Sequence, residues 1–340
     1  MTLKAMIKAG AESLGFVAVG FANIDPVPGF QRYKNWIEVE QHAGMRYLAN
    51  QRALAARANP RHLLPSGQTL ISLLSPYPPP SQTSAVHPLE GRIAAYALQS
   101  DYHEILKERL DRLVDLIRDL AGNTLETYAC VDSVPILEKG YAQKAGLGWI
   151  GRNSLLINPI YGSWVFLSEL LTNLKLEPDP AFEPDGCEGC QLCVRACPTQ
   201  AIGPDRTVDA HRCLSYLTIE NRGEIPAPLR GALGKRVFGC DQCQTVCPAN
   251  KNARIPEGHE PLIDEFVDLE ENFRLTAEEF KQRYQHTPVS RARHAGFRRN
   301  IAIVMGNSGR KQFIPLLEKA LQQESDPIVA ESIRWALQQL

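Results

Sequence analysis

The chain has no long hydrophobic run and almost no net charge. Its 340 residues include 37 Lys and Arg against 38 Asp and Glu, which gives a net charge of −1. Such a balance predicts neither a nucleic-acid nor a membrane partner, so any basic surface has to be local. The stretch from Met1 to Phe21 contains no twin-arginine pair and no apolar segment as long as a signal peptide or membrane span needs. We therefore expect a cytoplasmic protein that does not contact a membrane.

What the chain does have is cysteine: eight of its nine cysteines fall between Cys187 and Cys247. The order is Cys187-x-x-Cys190-x-x-Cys193-x-x-x-Cys197-Pro198, then Cys213, then Cys240-x-x-Cys243-x-x-x-Cys247-Pro248. The first run matches the bacterial ferredoxin pattern, in which three cysteines bind one 4Fe–4S cluster and the fourth, before proline, binds the other. The spacing therefore predicts two 4Fe–4S clusters and single-electron transfer.

The second run departs from a simple repeat, because Val237 stands where its first cysteine should be. Cys213 is the cysteine available to replace it. Zinc sites and disulfides are the alternatives, but zinc sites use paired cysteines without the evenly spaced third cysteine or the trailing Cys-Pro. We assign one cluster to Cys187, Cys190, Cys193 and Cys247, and the other to Cys197, Cys213, Cys240 and Cys243.

The length of the chain predicts more than one domain. We expect an α+β domain over residues 1–178, a cluster domain over 179–255 and a helical region over 256–340, with a linker near 255–262. Apolar periodicity in the first segment predicts helices over 1–14, 102–121 and 136–145, strands over 17–21, 69–74 and 127–131, and a hairpin of 154–157 with 164–171. In the last segment, amphipathic helices over 313–323 and 328–340 resemble a HEAT-like pair.

A basic segment lies near the C-terminus. Between residues 273 and 312 there are two acidic residues, Glu278 and Glu279, and nine basic ones: Arg274, Lys281, Arg283, Arg291, Arg293, Arg298, Arg299, Arg310 and Lys311. On a neutral protein, such a patch is able to hold a phosphate backbone. A solvated helical face is the alternative, and no aromatic-stacking motif decides between them.

Three glycines, Gly146, Gly148 and Gly151, match the G-x-G-x-x-G fingerprint of dinucleotide-binding domains. That fingerprint follows a strand and opens a helix, whereas here a predicted helix precedes it and a strand-like run follows. We therefore expect a helix end and a tight turn, which would let a flat cofactor approach the backbone.

Asp132 directly follows a predicted strand and precedes a helix that bears Glu138 and Lys139. This is a position where α/β proteins commonly place reactive groups, although an N-cap carboxylate is the alternative. The ninth cysteine, Cys130, is expected to be a buried apolar residue, since no triad-like pattern accompanies it.

Four strings together resemble the epoxyqueuosine reductases. They are VDSxPILE at 131–138, AGLGWxG at 145–151, RCLSYLTIE at 212–220 and FGCDxCQ at 238–244. The resemblance extends over nearly the whole chain, to Arg57-x-x-Pro60, to Asp101-Tyr102-His103 and to Arg299-Asn300. It implies an oxidoreductase that reduces epoxyqueuosine to queuosine at the wobble position of tRNA, the last step of queuosine biosynthesis.

The resemblance also implies the fold and the cofactors. The fold would be α+β, with an N-terminal nitroreductase-like cobalamin-binding domain, a bacterial dicluster ferredoxin-like domain and a C-terminal HEAT-like helical repeat. The clusters would pass electrons one at a time to the cobalt of cobalamin. Asp132 would donate a proton to the epoxide oxygen, which requires a raised carboxyl pKa. The implied cobalamin contacts are Arg57, Asp132, Leu156, Ser163, Leu167, Ser215, Asp241 and Gln242.

The expected partners are tRNA containing epoxyqueuosine and a low-potential electron donor, and we expect a monomer. Within the basic segment, the predicted tRNA contacts are Arg291, Arg293, Arg298 and Arg299.

The Asp-x-His-x-x-Gly motif that supplies a lower cobalt ligand in some cobalamin proteins begins at Asp101 and at Asp209, but leucine occupies the glycine position in both. We therefore predict no lower-face histidine from that motif.

The rival hypotheses are a reductive dehalogenase-like enzyme and a simple electron carrier. The missing export signal and the basic C-terminal region argue against the first, and the large segment before the cysteines argues against the second.

Overall fold

The computed structural model describes residues 2–24, 29–81, 87–255 and 260–340. Within these ranges, the helices are α1 (Leu3–Ser13), α2 (Phe30–Glu38), α3 (Arg46–Ala49), α4 (Gln51–Ala58), α5 (Tyr102–Ala121), α6 (Glu138–Lys144), α7 (Leu192–Ala196), α8 (Leu214–Ile219), α9 (Ala227–Arg230), α10 (Gln242–Thr245), α11 (Leu269–Arg274), α12 (Ala277–Tyr284), α13 (Arg293–Asn307), α14 (Ile314–Gln323) and α15 (Pro327–Gln339). The strands are β1 (Ala18–Asn23), β2 (Thr69–Pro76), β3 (Glu90–Ile93), β4 (Thr127–Cys130), β5 (Trp149–Ile150), β6 (Leu156–Ile157), β7 (Val165–Thr172), β8 (Arg236–Phe238) and β9 (Phe266–Asp268).

A four-stranded antiparallel sheet in the order β1-β2-β7-β4 forms the centre of the N-terminal segment. All eight residues of β2 are buried, which requires that both faces of the sheet be covered. Ile71 and Leu73 pack into the core that α1 and α5 contribute to, whereas Leu70 and Leu74 pack into the core on the α6 side. The predicted α+β class is therefore confirmed.

The strongest sequence patterns predicted their elements closely. Helix α5 has the predicted bounds and ends before Gly122, whose φ of 90° is unfavourable for other residues. Helix α1, Leu3–Ser13, lies within the predicted helix over 1–14, with Thr2 and Leu14 as its caps and residue 1 outside the described ranges. The glycine-rich string follows α6, and Gly148 packs so closely on the Ile157 carbonyl that a Cβ would lie 2.2 Å from that oxygen. As expected, these glycines form a helix end and a turn and not a dinucleotide fingerprint.

The predicted hairpin of 154–157 with 164–171 is wrong. Strand β6 pairs with β5, whereas β7 enters the central sheet between β2 and β4. The two runs meet at a single antiparallel bridge between Asn158 and Gly162. Proximity in sequence favoured the hairpin, but the apolar length of β7 is buried better between β2 and β4 than against a two-residue strand.

A second sheet joins the three predicted segments. Its order is β8-β3-β9, so the strand from the N-terminal segment lies between one strand of the cysteine-rich segment and one of the C-terminal segment. The predicted boundaries at 178 and 255 stay a prediction, and residues 256–259 of the predicted linker lie outside the described ranges.

Helix α13 is the centre of the C-terminal region. Its residues Phe297 and Ile301 to Met305 are buried, and it packs against α15. The predicted helices over 313–323 and 328–340 are confirmed as α14 and α15, while their HEAT-like character stays a prediction. Across the described parts of the chain, no helix combines the length and the apolar character needed to cross a membrane.

Candidate functional site

A cavity of about 510 Å³ lies between the N-terminal segment and the cysteine-rich segment. The N-terminal segment lines it with side chains from α2, α4 and α6, and the cysteine-rich segment lines it with side chains from α8 and α10 and the turns before them. Its volume falls within the range of cavities that bury a small-molecule ligand.

The cysteines separate into two groups in space. Cys197, Cys213, Cys240 and Cys243 line the large cavity, and Cys187, Cys190, Cys193 and Cys247 line a second cavity of about 20 Å³. These are the two sets that the spacing predicts. All nine cysteines are free thiols, so none is in a disulfide. No group of three or more His, Cys, Asp or Glu side chains converges on a single metal ion within the described ranges.

Burial dominates the acidity of the thiols on the large cavity. It raises the pKa of Cys213, Cys240 and Cys243, and their proximity to one another adds to the shift. Backbone and indole N–H groups point at sulfur in both groups: Ala201 N donates to Cys197 Sγ at 3.3 Å and Trp149 Nε1 donates to Cys187 Sγ at 3.4 Å. Such bonds stabilise thiolate charge, and bonds to cluster sulfurs tune the potential.

Arg57 presents an unused donor near the cavity wall. It lies on α4, is only 8% exposed and holds its guanidinium 5.1 Å from the Tyr33 ring centre. Among the described residues, neither its Nη1 nor Nδ2 of Asn153, a second buried side chain on the same wall, has a hydrogen-bond partner. Because buried donors are normally paired, these two atoms are suited to a ligand with polar edges.

The other predicted cobalamin contacts fall into two groups. Ser215 and Gln242 line the cavity together with Arg57. The others lie beside the wall: Leu156 and Leu167 pack in the apolar core on the α6 side, Ser163 contacts Gln244 and Asn250, and Asp241 accepts a hydrogen bond from the Ala95 backbone. Burial raises the pKa of Asp241 to about 6.

Asp132 lies just beyond β4 in a left-handed conformation, with φ of 50°. Its side chain is 52% exposed, and its Oδ2 accepts a hydrogen bond from the Tyr102 hydroxyl at 2.8 Å. His103 Nε2 lies 3.3 Å and Arg291 Nη1 lies 3.5 Å from the same oxygen. Helix α6 begins after Leu137 without a side-chain cap, so the N-cap alternative for Asp132 is wrong.

These neighbours make Asp132 a carboxylate. Burial raises its pKa, but hydrogen bonds from His103 and Tyr102 and the charges of His103 and Arg291 outweigh burial and lower the pKa to about 2. The expected raised pKa is therefore not found in this structure. A proton resides more readily on His103, which lies between Asp101 and Asp132; burial lowers its pKa, but the hydrogen bonds to both carboxylates raise it overall.

A second carboxyl group, that of Glu138, contacts the Asp132 backbone. Glu138 Oε1 accepts a hydrogen bond from the Asp132 backbone N–H at 2.7 Å, and Glu138 lines the large cavity. Burial and the charge of Asp132 raise the pKa of Glu138 to about 8. In the sequence, Glu138 stands out only as a neighbour of Asp132, because a carboxyl at the start of a helix has an ordinary explanation in the helix dipole.

The basic residues of the C-terminal region have different surroundings. The prediction that Arg299 contacts RNA is wrong, because Arg299 is 1% exposed and donates to the carbonyls of Leu217, Asn221 and Gly223. It ties α13 to the end of α8 in the cysteine-rich segment. Arg298 forms an ion pair with Glu324 and lies 4.8 Å from the Phe273 ring centre.

Two of the predicted RNA contacts remain close to solvent. Arg293 is exposed at the start of α13, and Arg291 is partly exposed beside Asp132. Arg274 and Arg283 pair with Glu270 and Glu271, which lie just before the window in which the charge was counted. The local excess of positive charge is therefore smaller than the sequence indicated.

Similarity to known proteins identifies the family of this chain. Residues 57–133 match a family model described as Epoxyqueuosine reductase QueG, DUF1730, and residues 186–250 match a 4Fe-4S double cluster binding domain. The epoxyqueuosine reductase of Pseudomonas aeruginosa is 39% identical over 97% of this chain and 92% of its own length. The chain belongs to the epoxyqueuosine reductase family. Its members are oxidoreductases, and the second match contains all eight clustered cysteines.

Two solved structures of the family have the same fold. One is an epoxyqueuosine reductase from Bacillus subtilis in which the catalytic aspartate loop is swung out of the active site; it is 27% identical, has a TM-score of 0.89 and aligns over 99% of this chain and 90% of its own. The other is an epoxyqueuosine reductase with an epoxyqueuosine-modified tRNA-Tyr stem loop, also 27% identical, with a TM-score of 0.86 and coverage of 99% and 98%.

Proposed function

We propose that the chain reduces epoxyqueuosine to queuosine in tRNA, with cobalamin and two 4Fe–4S clusters as cofactors. The observation that carries this proposal is the large cavity, which has Cys197, Cys213, Cys240 and Cys243 on one wall and Glu138, bonded to Asp132, on another. A source of electrons and a source of protons thus border one space. Removal of an epoxide oxygen as water consumes two of each.

The cysteine groups are proposed as the cluster ligands. The cluster of Cys197, Cys213, Cys240 and Cys243 would border the large cavity, and the cluster of Cys187, Cys190, Cys193 and Cys247 would lie farther from it. The match to a double-cluster domain over 186–250 supports this assignment. Electrons from a low-potential donor would reach the cavity through the second cluster and then the first.

Cobalamin fits the donor set of the large cavity. The donors on Arg57 and Asn153 that have no partner among the described residues would meet the amide edges of the corrin, and Ser215 and Gln242 line the cavity from the cysteine-rich segment. Leu156, Ser163, Leu167 and Asp241 would support the walls of the cavity from behind. When bound, cobalamin supplies a low-valent metal centre able to reduce a strained ring.

Asp132 is proposed as the group that passes a proton to the epoxide oxygen. The Bacillus subtilis relative, named for a catalytic aspartate loop, supports this role. Since Asp132 is ionised beside His103, the proton would rest on His103 and reach the substrate through Asp132. A large apolar ligand over Asp132 would displace water and raise its pKa, which favours that transfer.

The RNA would approach over the rim where Arg291 and Arg293 lie. The relative solved with a tRNA stem loop supports an RNA substrate. Arg298 is already paired with Glu324, so we propose only Arg291 and Arg293 as direct contacts. We further propose domain boundaries at 178 and 255, a monomer and a cytoplasmic location.

The test is turnover on the natural substrate. Protein is purified and reconstituted anaerobically, its iron, sulfide and cobalamin are quantified, and it is incubated with tRNA containing epoxyqueuosine and a low-potential reductant. Nucleoside analysis should show queuosine replacing epoxyqueuosine only when cobalamin is bound. A fully loaded protein that leaves epoxyqueuosine unchanged would refute the proposal.

A further inference from the structure

Glu169 is a carboxyl group in the middle of the central sheet. It lies on β7 between Ser72 of β2 and Cys130 of β4 and is fully buried. Neither of its carboxylate oxygens receives a hydrogen bond from a donor group of the described residues. An ionised carboxylate without a donor is strongly disfavoured in such a place, so the group keeps its proton.

The proton on Glu169 has an acceptor within reach. Helix α6 packs over this face of the sheet, and the carboxyl of its Glu138 interacts with that of Glu169 and raises its pKa. Two carboxyl groups in one buried site hold a proton between them, because both cannot ionise together. The pair therefore extends from the interior of the sheet to the cavity wall, where Glu138 also binds the Asp132 backbone.

The charges around the pair favour the protonated state. Asp132 and the thiol of Cys130 face it as acidic groups, and Lys139 and Arg57 face it as basic groups. Lys139 directs its ammonium group to the Ser154 carbonyl at 2.6 Å, and burial lowers its pKa. Burial and the negative charge of Asp132 therefore prevail, and the pKa of both glutamic acids is raised.

We propose that Glu138 supplies the second proton of the reaction and that Glu169 is the positioning residue that keeps Glu138 protonated. This inference rests on the proposed function. Both C–O bonds of the epoxide break, a C=C bond forms and the oxygen leaves as water, with two electrons from the low-potential donor. One proton arrives through Asp132 from His103. The other arrives from the Glu138–Glu169 pair, which is reprotonated from solvent between turnovers.

The first experiment measures the proton directly and needs no turnover. Difference infrared spectra of the reconstituted protein are recorded at neutral pH in H2O and D2O. We expect a carboxylic-acid C=O band that shifts in D2O. The band should be lost in Glu169→Gln, because the new amide donates to Glu138 and allows it to ionise. It should persist in Glu278→Gln, the exposed control. Absence of the band from the parent, or its persistence in both Glu169→Gln and Glu138→Gln, would overturn the inference.

The second experiment connects that proton to the reaction. With cluster and cobalamin content verified by absorption, Glu169→Gln should lower single-turnover queuosine formation by about 10- to 100-fold. This is at or below the roughly 10²- to 10⁴-fold that a general acid contributes, because Glu169 acts only through Glu138. In the parent, the rate should fall as pH rises through the pKa of the pair, and this limb should be absent from Glu169→Gln. A Glu169→Gln variant that keeps the parental rate and pH profile would overturn the inference alone. A loaded parent that forms no queuosine would refute the proposed function as well, whatever the infrared band shows.

Discussion

The large cavity has two walls of opposite chemistry. One wall carries Cys197, Cys213, Cys240 and Cys243, and burial raises the pKa of the last three thiols. The other wall carries Glu138, with Asp132 and His103 behind it, which are groups of the kind that exchange protons. Under the proposed function, electrons and protons would therefore reach the substrate from different walls, which would limit wasteful reduction of protons.

The largest expected effect comes from breaking the cysteine wall at Cys213. Cys213→Ser should lose one cluster, about four of eight irons, and all queuosine formation, because the cluster next to the cavity is removed. The matched control is Cys130→Ser, which alters the buried cysteine outside both groups. Iron and sulfide analysis with electron paramagnetic resonance measures the outcome, and full iron content in Cys213→Ser would contradict the ligand assignment.

On the wall that carries Glu138, with Asp132 behind it, the largest effect should come from Asp132→Asn. The amide keeps the shape but cannot pass a proton, so we expect a loss of about 10² to 10³ in turnover, with both clusters and cobalamin retained. Asp115→Asn, at an exposed ion pair on α5, is the control and should keep parental turnover. If Asp132→Asn turns over at the parental rate, Asp132 serves only to hold His103 and Tyr102.

The two carboxyl groups of this wall should also differ in how they link stability to pH. The pKa of Asp132 is lowered to about 2, so its contribution to stability is present above its unfolded value near 3.8 and is lost as pH falls toward 2. The pKa of Glu138 is raised to about 8, so its contribution is present below its unfolded value near 4.5 and is lost as pH rises toward 8.

Denaturant unfolding of the apoprotein between pH 5 and 8 checks this difference. The free energy of unfolding should fall with pH by up to about 1.4 kcal/mol per pH unit for each proton held. The slope should be smaller in Glu138→Gln, and Asp132→Asn should also reduce it, because that change removes a charge that raises the pKa of Glu138. An equal slope in the parent and in Glu138→Gln would contradict the raised pKa.

Sequence patterns predicted best where one physical requirement acts alone. The spacing of the cysteines predicted the two cysteine groups. The helical repeat of apolar residues, followed by Gly122, predicted α5. The same reasoning failed for Glu169 and Arg299, because nothing in a local sequence pattern marks a charged residue as buried. In the sequence, Glu169 is a polar residue within an apolar strand, and Arg299 is one basic residue among many. Their surroundings come from elements distant in sequence, β4 and α6 for the first and α8 for the second.

The smallest effect should come from the basic rim, which lies outside both walls. Arg293→Ala removes an exposed charge at the start of α13, so we expect tRNA binding to weaken a few-fold and the slope of log K against log salt to fall by about 1. Arg112→Ala removes an equally exposed charge from α5 and should change neither quantity. Titration of anticodon stem-loop RNA at several salt concentrations measures both. Equal affinities and slopes for the two variants would mean that Arg293 is part of a solvated helical surface. The RNA would then be held by groups nearer to Asp132, and Arg291 is the basic side chain of this segment that contacts Asp132.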